Sequence, residues 1–100
     1  MENLFVYGTF VDVKVAQAVL ARKIIESVPD KLRGYKKDVV LVDKRPCPIL
    51  VPKEDSTIDG RVLLITNEEL RYLDDWEPPS YERTEIKLTS GNVAWVYQYK

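Results

Sequence analysis

Glu77 is the residue best placed for acid–base chemistry, because two prolines follow it directly. A residue before a proline is driven out of helical geometry, so Glu77 should leave the helix axis just beyond the last turn. The negative end of the helix dipole and the nearby Asp74 and Asp75 should raise the pKa of its carboxyl group, as should burial against Trp76. A carboxylate whose pKa is raised toward 7 can act as a general base. The alternative is an acidic helix end that only faces water.

A second candidate site is the loop at Gly8, which ends the apolar segment Leu4-Phe5-Val6-Tyr7. This segment predicts a short buried strand, and the glycine and Thr9 predict a loop with bare backbone. Glycine lets a ligand approach the chain, and successive N–H groups turned inward there would form an anion-binding concavity. The alternative is that Gly8 only makes the turn that leaves the strand.

Three further side chains are candidates, each with a simple structural alternative. Tyr81 and Arg83 share one face of a predicted strand, where a buried tyrosine and an arginine paired with an acid are commonly structural. Cys47 lies between two prolines. Nothing in the sequence gives it the electropositive, accessible setting of a reactive thiol, so we predict that it packs.

Composition limits both the fold and the chemistry. One hundred residues, 45% hydrophobic and 31% charged, predict a single domain over residues 1–100 with one ordinary core. Lysine plus arginine (15) nearly balance aspartate plus glutamate (16), so the basic surface of a nucleic-acid-binding protein is absent. With one cysteine and no histidine, the usual zinc sites and Ser-His or Cys-His nucleophiles are disfavoured, and we expect neither metal nor cofactor.

The hydropathy pattern predicts no association with a membrane. No apolar run approaches the roughly 20 residues that span a bilayer. The start of the chain, Met1-Glu2-Asn3, lacks the basic character of a signal peptide. We therefore expect a cytoplasmic protein.

The elements that must position the candidate residues begin with a short helix after the Gly8 loop. Asp12 can cap this helix, in which Val13, Ala16 and Leu20 recur at helical spacing. Beyond it the sequence predicts three strands, at about residues 35–42, at 49–51 as a short edge strand among prolines, and at 58–65 as a central strand.

A second helix and a hairpin complete the chain. Thr66 and Glu69 have the form of a capping box, and the helix that follows should bury Leu70, Leu73 and Trp76 before the two prolines stop it. Residues 81–99 alternate as two strands around a turn at 90–92, which predicts a β-hairpin.

These elements predict an α+β fold. About six or seven strands and two short helices occur, and the helices do not alternate regularly with the strands. The economical arrangement is a small mixed sheet that curls into a partial barrel, with the two helices flanking one end.

In their order and spacing, the motifs of this chain resemble the γ-glutamylcyclotransferase-like (AIG2-like) superfamily over nearly the whole sequence. The matching residues are Val-Tyr-Gly-Thr-Phe at 6–10, Leu-Arg-Gly-Tyr at 32–35, Gly60, Leu-Asp-Asp-Trp-Glu at 73–77, Tyr81 with Arg83, and Val-Tyr-Gln-Tyr at 96–99. The resemblance implies a small mixed-sheet barrel with flanking helices, in agreement with the predicted elements.

The resemblance also implies roles for particular residues. The loop of Tyr7, Gly8, Thr9 and Phe10 would hold the α-amino-acid end of a substrate, Glu77 would be the general base, and Tyr81 and Arg83 would lie behind them. Phe10 stands where leucine is commoner. Pro78 stands where a glycine often follows the glutamate, and both departures bear on the shape of the pocket.

The implied substrate is a small γ-glutamyl amide. Its own α-amine attacks the side-chain carbonyl and closes a five-membered ring, so no nucleophile is needed from the protein. One carboxylate with a raised pKa can transfer the protons, and the loop N–H groups can stabilise the oxyanion. The products are 5-oxoproline and a free amine or amino acid.

Three alternatives are compatible with the same sequence. The first is a non-catalytic small-metabolite-binding protein on the same scaffold. The second is a different γ-glutamyl reaction, such as release of an amine from an isopeptide or processing of a γ-glutamylated intermediate. The third is an interaction protein that exposes the aromatic strand at residues 95–99, although such aromatics more often pair across strands.

Overall fold

The computed structural model describes residues 1–100, which form one mixed five-stranded sheet flanked by helices. The strands are β1 (Glu2–Val6), β2 (Glu26–Val42), β3 (Arg45–Ile65), β4 (Tyr81–Lys87) and β5 (Val93–Tyr99). The helices are α1 (Val13–Val19) and α2 (Asn67–Trp76), with a 3-10 turn at Thr9–Val11. The strand order is β2-β3-β1-β5-β4, and only the β1–β5 pairing is parallel. The predicted α+β class is confirmed.

The strand count is five because β2 and β3 are longer than the sequence predicted. The segments expected as separate strands at 35–42, 49–51 and 58–65 lie within these two strands. Their hairpin shifts register where Gly34, with φ of +91°, faces residues 53–56. Asp43 and Lys44, both at positive φ, make its two-residue turn.

We call residues 35–52 the hairpin arm. In the arm β3 pairs only with β2, whereas β1 pairs with β3 at residues 61–65. One edge of β3 is therefore free in the arm, and this is where Pro46, Pro48 and Pro52 are accommodated, because a proline has no N–H group to donate to a neighbouring strand.

The sheet does not close into a barrel. Strands β2 and β4 form its two edges and do not pair with each other. The turn between β4 and β5 nevertheless reaches β2, where the Thr89 N–H donates to the carbonyl of Lys31 at 2.9 Å and the Ser90 hydroxyl donates to Asp30 at 2.6 Å. These contacts hold the two edges near each other at one end.

Strand β1 is buried on both faces because it lies at the centre of this sheet. Leu4 and Val6 pack in one core cluster with residues from α1 and α2, whereas Phe5 and Tyr7 pack in a second cluster on the opposite face. Alternate residues of a strand point to opposite faces, so a strand covered on both sides needs an unbroken apolar run. The run at residues 4–7 meets that need.

Both helices begin where the sequence predicted. The Asp12 side chain accepts a hydrogen bond from the Lys14 N–H at 3.0 Å. Thr66 and Glu69 form the reciprocal capping box, with distances of 2.8 and 3.1 Å. None of the helices has the length and apolar character that crossing a membrane requires.

The buried stripe of α2 ends one residue earlier than predicted. Leu70 and Leu73 are fully buried, but Trp76 is 47% exposed. Trp76 is the last helical residue, and its ring stacks on Phe10 with the centroids 5.3 Å apart. It therefore lies at the rim of the core and close to the loop after β1.

Strand β5 is an interior strand, which removes the basis for an aromatic edge at residues 95–99. It lies between β1 and β4. Tyr97 is buried, and Trp95 is half-buried beneath Arg83, whose guanidinium carbon lies 4.3 Å from the ring centroid. Trp95 and Tyr97 therefore pack within the protein, whereas Tyr99 is 41% exposed.

Candidate functional site

A cavity of about 490 Å³ opens where the loop after β1, the end of α2 and the hairpin arm meet. This volume is in the range of small-molecule sites. It is lined by residues 4–10, 45–48 and 76–78, together with Tyr81 and Tyr97. The structure thus brings together Tyr7, Gly8, Thr9, Phe10, Glu77 and Tyr81, whereas Arg83 lies outside the lining. No group of three or more Cys, Asp or Glu side chains is arranged to hold a metal ion.

Glu77 leaves the helix as its position before Pro78 predicted. It caps the end of α2 with extended backbone angles, φ −70° and ψ 147°, and its N–H donates to the carbonyl of Leu73 at 2.9 Å. Burial raises the pKa of the Glu77 carboxyl group to about 7. The sequence predicted this direction, but burial accounts for it without the expected repulsion from Asp74 and Asp75. Glu77 is the only carboxylate that lines the cavity.

The Gly8 loop is shaped by contact with the hairpin arm. A Cβ at Gly8 would lie 2.9 Å from Cγ of Pro48, so only glycine allows the arm to come this close. The loop then makes a tight turn, in which the Val11 N–H donates to the carbonyl of Gly8 at 3.1 Å. The ammonium group of Lys37, from the arm, donates to the carbonyl of Tyr7 at 3.4 Å. The loop and the arm therefore form one continuous wall.

Two tyrosine hydroxyls are fixed to backbone carbonyls at the cavity. Tyr7 donates to the carbonyl of Tyr97 at 2.7 Å, and Tyr81 donates to the carbonyl of Pro48 at 2.6 Å. Burial raises the pKa of Tyr7 well above its usual range. Burial, then the nearby Cys47 and Glu77, raise the pKa of Tyr81 to about 12. Both phenols are therefore neutral near pH 7 and brace the wall.

Arg83 is tied to an acid on the outer side of α2. Its Nε and a terminal nitrogen donate to the two carboxylate oxygens of Asp74 at 2.8 and 2.9 Å, and the Tyr97 hydroxyl donates to the same carboxylate at 2.7 Å. Burial alone would raise the pKa of Asp74, but the hydrogen bonds from Arg83 and Tyr97 outweigh it and hold the pKa below its usual value. Arg83 thus supports Tyr97, which lines the cavity.

Sequence reasoning missed two parts of the cavity wall. Tyr97 belongs to the closing Val-Tyr-Gln-Tyr motif, so its motif was noticed but its place in the site was not. The other part is the arm segment that starts at Arg45, and no local signal marks it, because its approach to Gly8 depends on the full length of the hairpin. Cys47, predicted to pack, is half-buried in this segment and lies beside Tyr81.

The architecture is shared with several solved structures. A structure described as gamma-glutamyl cyclotransferase matches with a TM-score of 0.85 and 14% identity over 99% of this chain and 66% of its own. An uncharacterized protein from Homo sapiens matches with the same TM-score at 15% identity, with the same coverage of both chains. At such low identity these two likenesses show the fold alone.

Residues 4–100 match the family described as Gamma-glutamyl cyclotransferase, AIG2-like, so the chain belongs to this family. AIG2-like protein B of Arabidopsis thaliana is 34% identical over 89 residues, which are 88% of this chain and 50% of the relative. A solution structure of another Arabidopsis thaliana protein is 32% identical, with a TM-score of 0.76, over 98% of this chain and 68% of its own. The chain spans about half the length of the curated relatives it matches.

Proposed function

We propose that this protein cyclises a γ-glutamyl amide to 5-oxoproline and releases an amine or amino acid. One observation carries the proposal: the Glu77 carboxyl group and the loop of Tyr7, Gly8, Thr9 and Phe10 line the same cavity. The loop would hold the α-amino-acid end of the γ-glutamyl group, and Glu77 would move the protons. Membership of the Gamma-glutamyl cyclotransferase, AIG2-like family supports this assignment.

The proposed reaction moves two protons in turn through Glu77, both from the α-nitrogen of the substrate to the leaving nitrogen. The ionised carboxylate removes a proton from the substrate's α-ammonium group, and the free amine attacks the γ-carbonyl carbon to form a tetrahedral oxyanion. Glu77 then gives this first proton to the leaving nitrogen, the carbon–nitrogen bond breaks, and the carbonyl reforms in the five-membered ring. The ring nitrogen still carries an extra proton, which the ionised Glu77 removes and transfers to the released amine. Glu77 ends the cycle ionised, as it began.

The surroundings of Glu77 support this assignment of roles. A pKa near 7 lets one group accept a proton and release it again at neutral pH. The neighbouring phenols of Tyr7 and Tyr81 stay protonated in this range. Asp74, another acid of the motif, is occupied by Arg83 and Tyr97. Glu77 is thus left as the single titrating acid of the cavity.

The Gly8 loop would stabilise the oxyanion through its backbone. The Gly8 N–H donates to no backbone carbonyl within the protein. The N–H groups of Thr9 and Phe10 open the 3-10 turn, and the first N–H groups of such a turn have no partner inside it. Donors of this kind, fixed before the substrate arrives, favour the charge that develops in the transition state.

The test compares Glu77→Gln with the matched control Asp75→Asn. Asp75 is the exposed acid two residues earlier and does not line the cavity. We expect Glu77→Gln to lower turnover of γ-glutamyl-alanine by about 10²- to 10⁴-fold, as loss of a general base does, while Asp75→Asn stays within about twofold of the wild type. The assay measures 5-oxoproline, with circular dichroism as the check on folding.

Wild-type turnover in the Glu77→Gln variant would refute Glu77 as the base. The panel should include γ-glutamyl-alanine, γ-glutamyl-ethylamine and ε-(γ-glutamyl)lysine, because these differ only in the leaving group. Binding of these compounds to the wild type without formation of 5-oxoproline would instead identify a non-catalytic small-metabolite-binding protein on the same scaffold.

A further inference from the structure

Arg45 is the only basic residue that lines the cavity. Its side chain is exposed, and its guanidinium forms no ion pair or hydrogen bond with another side chain. Glu77 is the only acid in the lining. The cavity lining therefore carries one permanent positive charge, on Arg45, and one negative charge, on Glu77, whose presence depends on pH near neutrality.

The position of Arg45 is set by the hairpin arm. Arg45 is the first residue of β3, pairs with Val42, and follows directly on the two-residue turn. Three residues further along, Pro48 is held by the Tyr81 hydroxyl and contacts Gly8. The arm thus carries Arg45 three residues from Pro48, the residue of β3 that contacts the Gly8 loop.

The spacing along β3 matches the length of a substrate. Three residues of a β-strand rise by about 10 Å, which separates Arg45 from the contact between Pro48 and Gly8. Standard bond lengths put the two carboxyl carbons of an extended γ-glutamyl amino acid roughly 9 Å apart. With the α-amino-acid end held at the Gly8 loop, the second carboxylate comes within reach of the Arg45 side chain.

We propose that Arg45 binds a carboxylate on the leaving group, so that the preferred substrates are γ-glutamyl amino acids rather than γ-glutamyl derivatives of uncharged amines. This inference rests on the proposed function and names its substrate class. A guanidinium pairs with a carboxylate through two parallel hydrogen bonds, which gives selectivity for an acid over its neutral amide.

The experiment uses two substrates that differ only in this charge, γ-glutamyl-alanine and γ-glutamyl-alaninamide. Charge-assisted hydrogen bonds predict that kcat/KM of the wild type favours the acid by about 10- to 100-fold. In Arg45→Gln this ratio should fall to about one, and Arg45→Lys should restore part of it. Lys44→Gln is the matched control, because it removes the same charge one residue away from a side chain that does not line the cavity.

A ratio near one in the wild type, or an equal fall of the ratio in Lys44→Gln, would overturn the inference. Calorimetric binding of both compounds to Glu77→Gln separates it from the proposed function. If the wild type produces no 5-oxoproline, the proposed function fails, but tighter binding of the acid that is lost on adding Arg45→Gln still supports the role of Arg45. Equal binding, or none, contradicts it.

Discussion

Two sides of the end of α2 carry acids in opposite surroundings. On the outer side, Asp74 accepts hydrogen bonds from Arg83 and Tyr97, and these outweigh its burial and hold its pKa below the usual value. On the cavity side, three residues later, Glu77 has no such partner, and burial raises its pKa to about 7. The sequence around both acids is the same short motif, Leu-Asp-Asp-Trp-Glu.

The hydrogen-bond partners of each carboxylate therefore determine which acid has a structural role and which is available for proton transfer. Asp74 stays ionised and tied, so it braces β4 and β5 against the helix. Glu77 lies where the helix has ended and where Pro78 follows, so its backbone cannot continue the hydrogen-bonded turn. Its carboxyl group therefore faces the cavity without a charged or hydrogen-bonding partner, and burial there raises its pKa to about 7.

The largest expected effect of this difference is on the pH dependence of turnover. Because Glu77 must be ionised to accept a proton, kcat/KM should rise with pH through about 7 and be about 100-fold lower at pH 5 than on the plateau. The measurement is 5-oxoproline formation from γ-glutamyl-alanine between pH 5 and 9. A flat profile across pH 5 to 7 would contradict the raised pKa of Glu77, since its carboxyl group would then titrate like that of an ordinary exposed acid.

A smaller effect is expected on stability. The pKa of Glu77 is higher in the folded protein than the ordinary 4.5, so its contribution is full below pH 4.5 and is lost as pH rises through about 7. Between pH 5 and 8 the wild type should therefore lose about 2 kcal/mol of unfolding free energy relative to Glu77→Gln, after allowance for solvent screening of a half-buried group. Urea denaturation at the two pH values measures this. A difference of the opposite sign would contradict it.

The smallest effect is expected for Asp74→Asn at neutral pH. The substitution weakens the hydrogen bonds from Arg83 and Tyr97 and should lower the unfolding free energy by about 1 kcal/mol, since the pair is partly exposed. Asp75→Asn, with no such partners, should change it by less than about 0.5 kcal/mol. Because the pKa of Asp74 is lowered, its contribution is present above the ordinary carboxyl range and is lost only as pH falls below it. Equal effects of the two variants in thermal or urea unfolding would show that Asp74 is not the braced acid.

The direction of the Glu77 pKa shift and one of its expected causes, burial, were predictable from sequence, whereas the expected repulsion from Asp74 and Asp75 does not contribute. Pro78 determines locally where the helix ends, and this signal needs no tertiary information. The hydrogen bonds that Arg83 and Tyr97 donate to Asp74 join three elements of the fold, so they cannot be inferred from the motif. The motif alone therefore suggested that Asp74 would repel the charge of Glu77. The roles of Glu77 and the Gly8 loop in a reaction stay predictions.

The α+β class and both helix starts were predictable because caps and alternation are local patterns. The long hairpin was not, because Pro46 and Pro48 read as breaks in a strand. In the fold they occupy the free edge of β3, where no neighbour needs their missing N–H groups. The contact of Pro48 with Gly8 then follows from a pairing across most of the hairpin, which no short sequence window contains.

The parallel pairing of β1 with β5 has a consequence for how fast the protein folds. It joins Leu4 to Trp95, and the hydrogen bond from Tyr7 to Tyr97 links residues 90 positions apart. Contacts so distant along the chain carry a large loop-closure entropy and put the protein among slow-folding topologies. Since the cavity wall needs Tyr7, Pro48, Glu77 and Tyr97 together, it is complete only when these distant segments have met, so a ligand of the cavity would bind the folded chain and stabilise it against unfolding.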